Sequence, residues 1–249
     1  MRKMIFVMLA VTILCFSIFA SAEAPAVLAE IAAGSTITFG TYEQDNNAGN
    51  GPEPIEWLVL DVREGKALLL SRYGLDAIPY HNGWDDVTWE TCTLRAWLND
   101  DFLNAAFSGE EQAAILLTDV DNSAAQKCAE WTKDGGNDTQ DRIFLLSFAE
   151  AAEYLGVEYK MMISANEKSI PSAQVKATAY ALARGVMING DHVSKQDRDA
   201  AGWWLRSPGH YEGFASAVSV SGRLYAPSTI TNLVAVRPAL WLNLDADIF

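Results

Sequence analysis

One stretch near the end of the chain constrains the fold more than any other: Ala201-Gly202-Trp203-Trp204-Leu205-Arg206-Ser207-Pro208-Gly209. It is answered by Val236-Arg237-Pro238-Ala239-Leu240-Trp241-Leu242. Two adjacent tryptophans followed by Leu-Arg make a heavy aromatic strand, and Ser-Pro-Gly stops it with turn chemistry. Alternate side chains of a strand share a face, so Trp204 and Arg206 point one way and Trp203 and Leu205 the other. One face is then pure core and the other aromatic plus cation. The chain holds eight tryptophans. Each buries about 150–250 Å², so the core is built on large rings.

Residues 1–22 are set apart from the fold. Arg2 and Lys3 give a positive start, Met4 to Ala20 is apolar, and Ala20-Ser21-Ala22 is a small-x-small cleavage site. That order is a secretory signal peptide. The apolar run is shorter than the ~20 residues a spanning helix needs. The expectation is a protein secreted or held at the cell surface, with no membrane span after cleavage. Residues 23–33, rich in Ala, Pro and Glu, read as a flexible leader, and residues 34–249 as one domain.

The compartment gives the charge and the cysteines their meaning. The net charge of −14 becomes two units more negative once Arg2 and Lys3 are removed. Such a chain repels phosphate backbones, and nucleic acid is excluded as a partner. Maturation leaves Cys92 and Cys128. In an exporting compartment two thiols commonly pair, which makes Cys92 and Cys128 a disulfide candidate; two free buried thiols are the alternative.

Along the chain, alternation predicts strands at residues 36–40, 55–61 and 67–71, the last two joined by the turn Arg63-Glu64-Gly65-Lys66. A helix capped by Thr91 or Thr93 carries Leu94, Trp97, Leu98, Phe102 and Leu103 on one face, bent or weakened where Asn99-Asp100-Asp101 crosses it. Ser108 with Glu110-Glu111 starts a second helix. Ser147 with Glu150 forms a capping box for a third, ended by Gly156. Residues 142–146 read as a buried strand, 215–221 as a strand returning on 203–206, and 234–244 as the last strand. The loop Gly135-Gly136-Asn137-Asp138-Thr139 is rich in oxygen ligands and invites calcium, but its spacing does not match a helix-loop-helix calcium site. No cofactor is expected.

These motifs, in this order, resemble a known bacterial family. Thr36 to Gln44, Ile55 to Asp61, Ala67 to Asp76, Thr88 to Ser108, Ile143 to Ala151, Trp203 to Gly209 and Val234 to Leu242 are similar to the DUF6273 family, whose domain has no assigned function. The resemblance covers about residues 34–244. Ala235 stands where that family usually has Gly. The last third also resembles C-type-lectin-like and formylglycine-generating-enzyme-like folds. The resemblance implies a single α+β domain with a C-type-lectin-like core: antiparallel strands, short helices, and paired N- and C-terminal strands. The formylglycine-generating enzymes use a C-terminal cysteine pair. No cysteine follows Cys128 here, so that chemistry does not carry over.

Candidate ligand-binding residues are Trp204, Arg206, His210, Tyr211, Glu212 and Arg237. The two arginines have two readings. Either they face a ligand carboxylate or sugar acid, or each stacks on a tryptophan and pairs with an internal acid such as Asp141. The structural reading is the stronger one. His210, Tyr211 and Glu212 lie in the loop after the strand, and loops carry binding more often than strands do. Tyr80, His81 and Trp84 form a second aromatic loop. There is no Gly-x-Ser-x-Gly, no His-Glu-x-x-His and no phosphate-binding glycine loop. The histidines His81, His192 and His210 are scattered. The sequence therefore points to a non-catalytic binding module for carbohydrate or protein outside the cell. An extracellular enzyme acting on a polymer through carboxylates, or a structural surface protein, are the alternatives.

Overall fold

In the computed structural model the chain is described over residues 31–131, 133–159, 168–188 and 200–248, with the backbone alone for 225–229. Residues 1–30, where a signal peptide and leader are expected, and His192 lie outside the described residues. The alternating runs become β1 (Thr36–Tyr42) and β2 (Glu53–Arg63). Glu64 and Gly65 both take positive φ, 51° and 70°. A two-residue turn of that hand matches the twist of the flanking strands, so β3 (Lys66–Ser71) folds straight back on β2. β4 (Asp76–Ile78) follows.

The first helix is broken as its polar residues predict. α1 (Thr93–Trp97) passes into a π-helical turn at Leu98–Phe102 and then α2 (Leu103–Ala106). Asn99 causes the deviation. Its amide donates to the carbonyls of Arg95 and Ile143, and its oxygen accepts from the backbone of Arg142 and Ile143. The N-cap is Cys92, not Thr91 or Thr93. α3 (Gly109–Ala114) starts at a Ser108–Glu111 capping box. α4 (Phe148–Leu155) starts at the expected Ser147–Glu150 box and ends at Gly156. Between them run β5 (Thr118–Val120) and β6 (Thr139–Asp141), paired with each other. Where a strand was expected over residues 142–146, Ile143 to Leu146 are buried but form only an isolated bridge, Phe144 to Ala239.

β7 (Val175–Lys176), α5 (Ala179–Ala183) and β8 (Ala200–Ala201) lead to β9 (Trp203–Pro208). β10 (Phe214–Val218) returns on β9, and β11 (Leu224–Thr229) on β10. The stretch expected as one last strand is two: β12 (Val234–Val236) and β13 (Ala239–Asn243). Arg237-Pro238 separates them because the chain changes sheets there. One sheet has the order β1-β2-β3-β13 and the other β11-β10-β9-β12-β4.

Two connections cross between the sheets side by side. β3 leaves the first sheet for β4, and β12 leaves the second for β13. They are stitched together: Ser71 N donates to Pro238 O, and Leu75 N to Val236 O, both at 2.9 Å. This arrangement corrects the expected pairing of N- and C-terminal strands. β13 pairs with β3 and not with β1. The first and last strands sit at opposite edges of one sheet. The whole is a single-domain α+β fold around one continuous core. Ala235 is fully buried in it, opposite Ala77 on β4 and Trp203 on β9.

Candidate functional site

The opening motif turns out to be interior on both faces. Trp203, Trp204, Leu205 and Arg206 are all buried. Trp203 Nε1 donates to Ala173 O and Trp204 Nε1 to Ile78 O, each at 2.9 Å. Arg206 donates to Leu145 O and Asp121 O and grips the carboxylate of Glu150. Asp141, the partner expected from sequence, is held instead by Arg95 and by Trp89 Nε1. Arg237 lies over the Trp203 ring at 4.9 Å, and its Nε donates to Ser71 O across the sheet crossover. No carboxylate reaches Arg237 among the described residues, and its Nη1 has no partner. Burial pushes its guanidinium down to about 9. Trp204, Arg206 and Arg237 are therefore core groups and do not face a ligand.

From this core a set of loops is held out at one end. Tyr80 is buried between Trp89 and Trp204, with ring centroids at 6.3 and 5.5 Å, and its hydroxyl donates to Arg206 O. The residues after it, His81 to Asp86, form the first loop. His81 is fixed by Thr93 N, which donates to its Nδ1. Trp84 stands out at 76% exposed. The second loop is the one singled out after β9. Pro208 and Gly209 are buried, His210 is half-buried, and Tyr211 and Glu212 are exposed. Gly209 is required there: a Cβ would sit 2.6 Å from Phe214, and Gly209 N donates to Phe214 O.

The two loops are joined through Ile230. His81 N donates to Ile230 O at 3.0 Å, and Ile230 N donates to Gly213 O at 3.1 Å. A third segment braces both. Lys133 pairs with Asp86 and donates to Val87 O, and Asn137 reaches Glu90. Trp131 packs against His210 at 6.3 Å and Tyr159 at 5.9 Å, while His210 meets Tyr211 edge-on at 4.2 Å. The end so formed carries two protruding rings, Trp84 and Tyr211, each followed by an exposed carboxylate, Asp85 and Glu212.

Trp131 was not singled out by sequence, and it is the unusual member. Trp57, Trp89, Trp203 and Trp204 all place the indole N–H on an acceptor. Trp131 is as deeply buried, yet its Nε1 has no acceptor among the described residues. An unmade buried hydrogen bond costs about 1–3 kcal/mol. The only sequence signal was a tryptophan set in an otherwise polar stretch.

The cysteines lie beside these loops as free, buried thiols, so the Cys92–Cys128 disulfide is not formed. Each has its own role. Cys92 Sγ accepts from Arg95 N at the start of α1, and burial pushes its thiol up to about 12. Cys128 Sγ donates to Glu130 at 2.8 Å, which holds that carboxyl below its ordinary value. In the loop at residues 135–139, Asp138 accepts from Asn122 N, and the Asn137 amide donates to Glu90. Glu43, Asp45 and Glu53 do bring carboxylate oxygens within 4.8 Å of one another. Those oxygens accept from the backbone of Gln44, Asp45 and Asn47, which shape their own loop. Among the described residues no helix is long and apolar enough to cross a membrane.

Comparison with known proteins gives a family and no nearer relative. The family described as "Domain of unknown function (DUF6273)" matches residues 64–244. No curated protein and no solved structure matches.

Proposed function

Since the chain belongs to the DUF6273 family, a domain of unknown function, we propose that it is a secreted or cell-surface, non-catalytic binding module that takes carbohydrate or protein at its aromatic end. The observation that carries this reading is the junction at Ile230. It puts two loops that are about 130 residues apart in the chain on one end, with Trp84 and Tyr211 exposed. An exposed ring keeps apolar area that a ligand can cover, at a gain of about 25 cal/mol per Å². An aromatic face beside a carboxylate suits either ligand class: the ring lies on a sugar's C–H face or an apolar side chain, and the carboxylate accepts from hydroxyl or amide N–H. The hydrogen bonds of Ile230 to His81 and Gly213 tie the loops together, which lowers the ordering cost on binding. A C-type-lectin-like core and export by the N-terminal signal belong to the same proposal.

The test is a glycan array together with an immobilised peptide library, each probed with the secreted chain. Retention on a defined subset, with the bound ligand recovered intact, supports the reading. Cleavage of any bound polymer contradicts it.

A further inference from the structure

A cavity of about 150 Å³ opens between β3, β5, β13 and α4, formed by residues that belong to none of the three loops. At ~30 Å³ per water it has room for about five water molecules, the scale of one small ring. Its apolar lining includes Leu68, Val120, Phe144 and Trp241. The carboxylates of Asp119, Asp121 and Glu150 line the rest, with Arg63 and Tyr154.

The acceptors are fixed in place. Asp119 takes the Gln140 amide at 2.9 Å. Asp121 takes Ser123 N at 2.7 Å and Gln126 Nε2 at 2.9 Å, which hold it below its ordinary value. Glu150 is held by Ser147 N and by Arg206. On the donor side, Arg63 lies over the Trp241 ring at 4.8 Å and leans on Asp61. The Tyr154 hydroxyl makes no hydrogen bond among the described residues.

This lining selects by chemistry. The acids Asp119, Asp121 and Glu150 are matched by the cations Arg63, Lys66 and Arg206 beside them, so an ion of either sign would lose its hydration here without meeting a net opposite charge. A purely apolar ligand leaves the polar groups without partners, at a cost. A hydroxyl both donates and accepts, so it meets carboxylate and Tyr154 or Arg63 equally, while ring C–H groups lie against the apolar lining at Leu68 and Phe144. We propose that this cavity is a second binding site that takes a single neutral, polyhydroxylated ring, one sugar unit. It stands independently of the aromatic end.

The probe is a set of free neutral sugars (glucose, galactose, mannose, xylose and N-acetylglucosamine) with glucuronate as the anionic counterpart, followed by saturation-transfer NMR on the whole secreted chain. At least one neutral sugar is expected to bind saturably, with glucuronate at least tenfold weaker than its neutral counterpart glucose or undetected. Asp119→Asn with Tyr154→Phe should weaken the neutral sugar at least tenfold at an unchanged melting temperature. Trp84→Ala with Tyr211→Ala should leave it unchanged, which separates this site from the aromatic end. If the double variant does not fold, Tyr154→Phe alone decides, because it removes one unpaired hydroxyl. Saturable binding by none of the neutral sugars, binding that survives the cavity variants, or glucuronate binding as tightly as glucose would each overturn the proposal.

Discussion

Arg206 on β9 and Glu150 on α4 form a two-pronged ion pair between residues 56 apart in the chain, one prong being Nη2 to Oε1 at 3.0 Å. The same carboxylate accepts from Ser147 N and closes the capping box of α4. One side chain thus fixes the start of a helix and pins it to the central strand. Removing Arg206 leaves the partly buried Glu150 carboxylate and the carbonyls of Leu145 and Asp121 without their donor, at a cost of about 3–5 kcal/mol. Arg206→Ala should lose that much in urea unfolding. Arg206→Lys keeps the charge but not the planar fork, and should lose at least about 2 kcal/mol.

Arg237 should behave in the opposite way. It is buried over Trp203 with one backbone acceptor and no carboxylate among the described residues. Its desolvation is uncompensated by an opposite charge, and replacing buried ions by apolar groups of similar volume is often neutral or stabilising. Arg237→Met should change stability by less than about 1 kcal/mol in the unfavourable direction, measured in the same urea series as Arg206→Ala. A loss as large as that of Arg206→Ala would show that the stack on Trp203 holds the crossover together.

The buried thiol of Cys92 makes stability fall in alkali. Its value is raised from 9.0 to about 12 by burial. Between those two values the folded chain keeps a proton that the unfolded chain has lost, so stability is full below about pH 9 and is lost as pH rises toward 12. The slope from this one group is at most about 1.4 kcal/mol per pH unit. Cys92→Ser keeps an N-cap oxygen for Arg95 N and removes the titration. The variant should lose less stability than the wild type between pH 9 and 11. Thiol titration should also find both Cys92 and Cys128 unreactive when folded and both reactive in denaturant without reductant.

Trp131 and Trp89 offer a matched comparison. Both are buried, but Trp89 Nε1 donates to Asp141 at 2.9 Å, whereas Trp131 Nε1 has no acceptor among the described residues. Removing a satisfied N–H leaves Asp141 short of a partner, while removing an unsatisfied one relieves a cost. Trp131→Phe should therefore be at least about 1 kcal/mol less destabilising than Trp89→Phe, as read from thermal melts corrected for the volume lost.

Much of the fold was legible because its signals are local. The Glu64-Gly65 turn, the capping boxes at Ser108 and Ser147, and the alternating runs of β1 to β3 depend only on neighbours in the chain. The bend at Asn99 was legible as a conflict between an apolar stripe and polar residues, though not its form. What failed was long-range. Pairing of β13 with β3, and the split at Arg237-Pro238, depend on how the two sheets sit against each other. Glu150 as the partner of Arg206, in place of Asp141, depends on where α4 docks. For the site, the loop at His210 to Glu212 and the loop at His81 and Trp84 were both visible as exposed aromatics in polar context. Their meeting at Ile230, the role of Trp131 and the cavity beside Trp241 were not, since each is made by residues distant in sequence.

The central claim is that the aromatic end binds a ligand and does no chemistry on it. Calorimetry answers it most directly, with the tightest array ligand titrated into the wild type and into a Trp84→Ala, Tyr211→Ala variant. Both side chains are exposed, and surface substitutions of this kind shift stability by only about 0.5 kcal/mol. The expected result is affinity at least tenfold weaker in the variant at an equal melting temperature, with ligand recovered unchanged from both. Equal affinity in the two proteins, or a ligand consumed during the titration, would contradict the account.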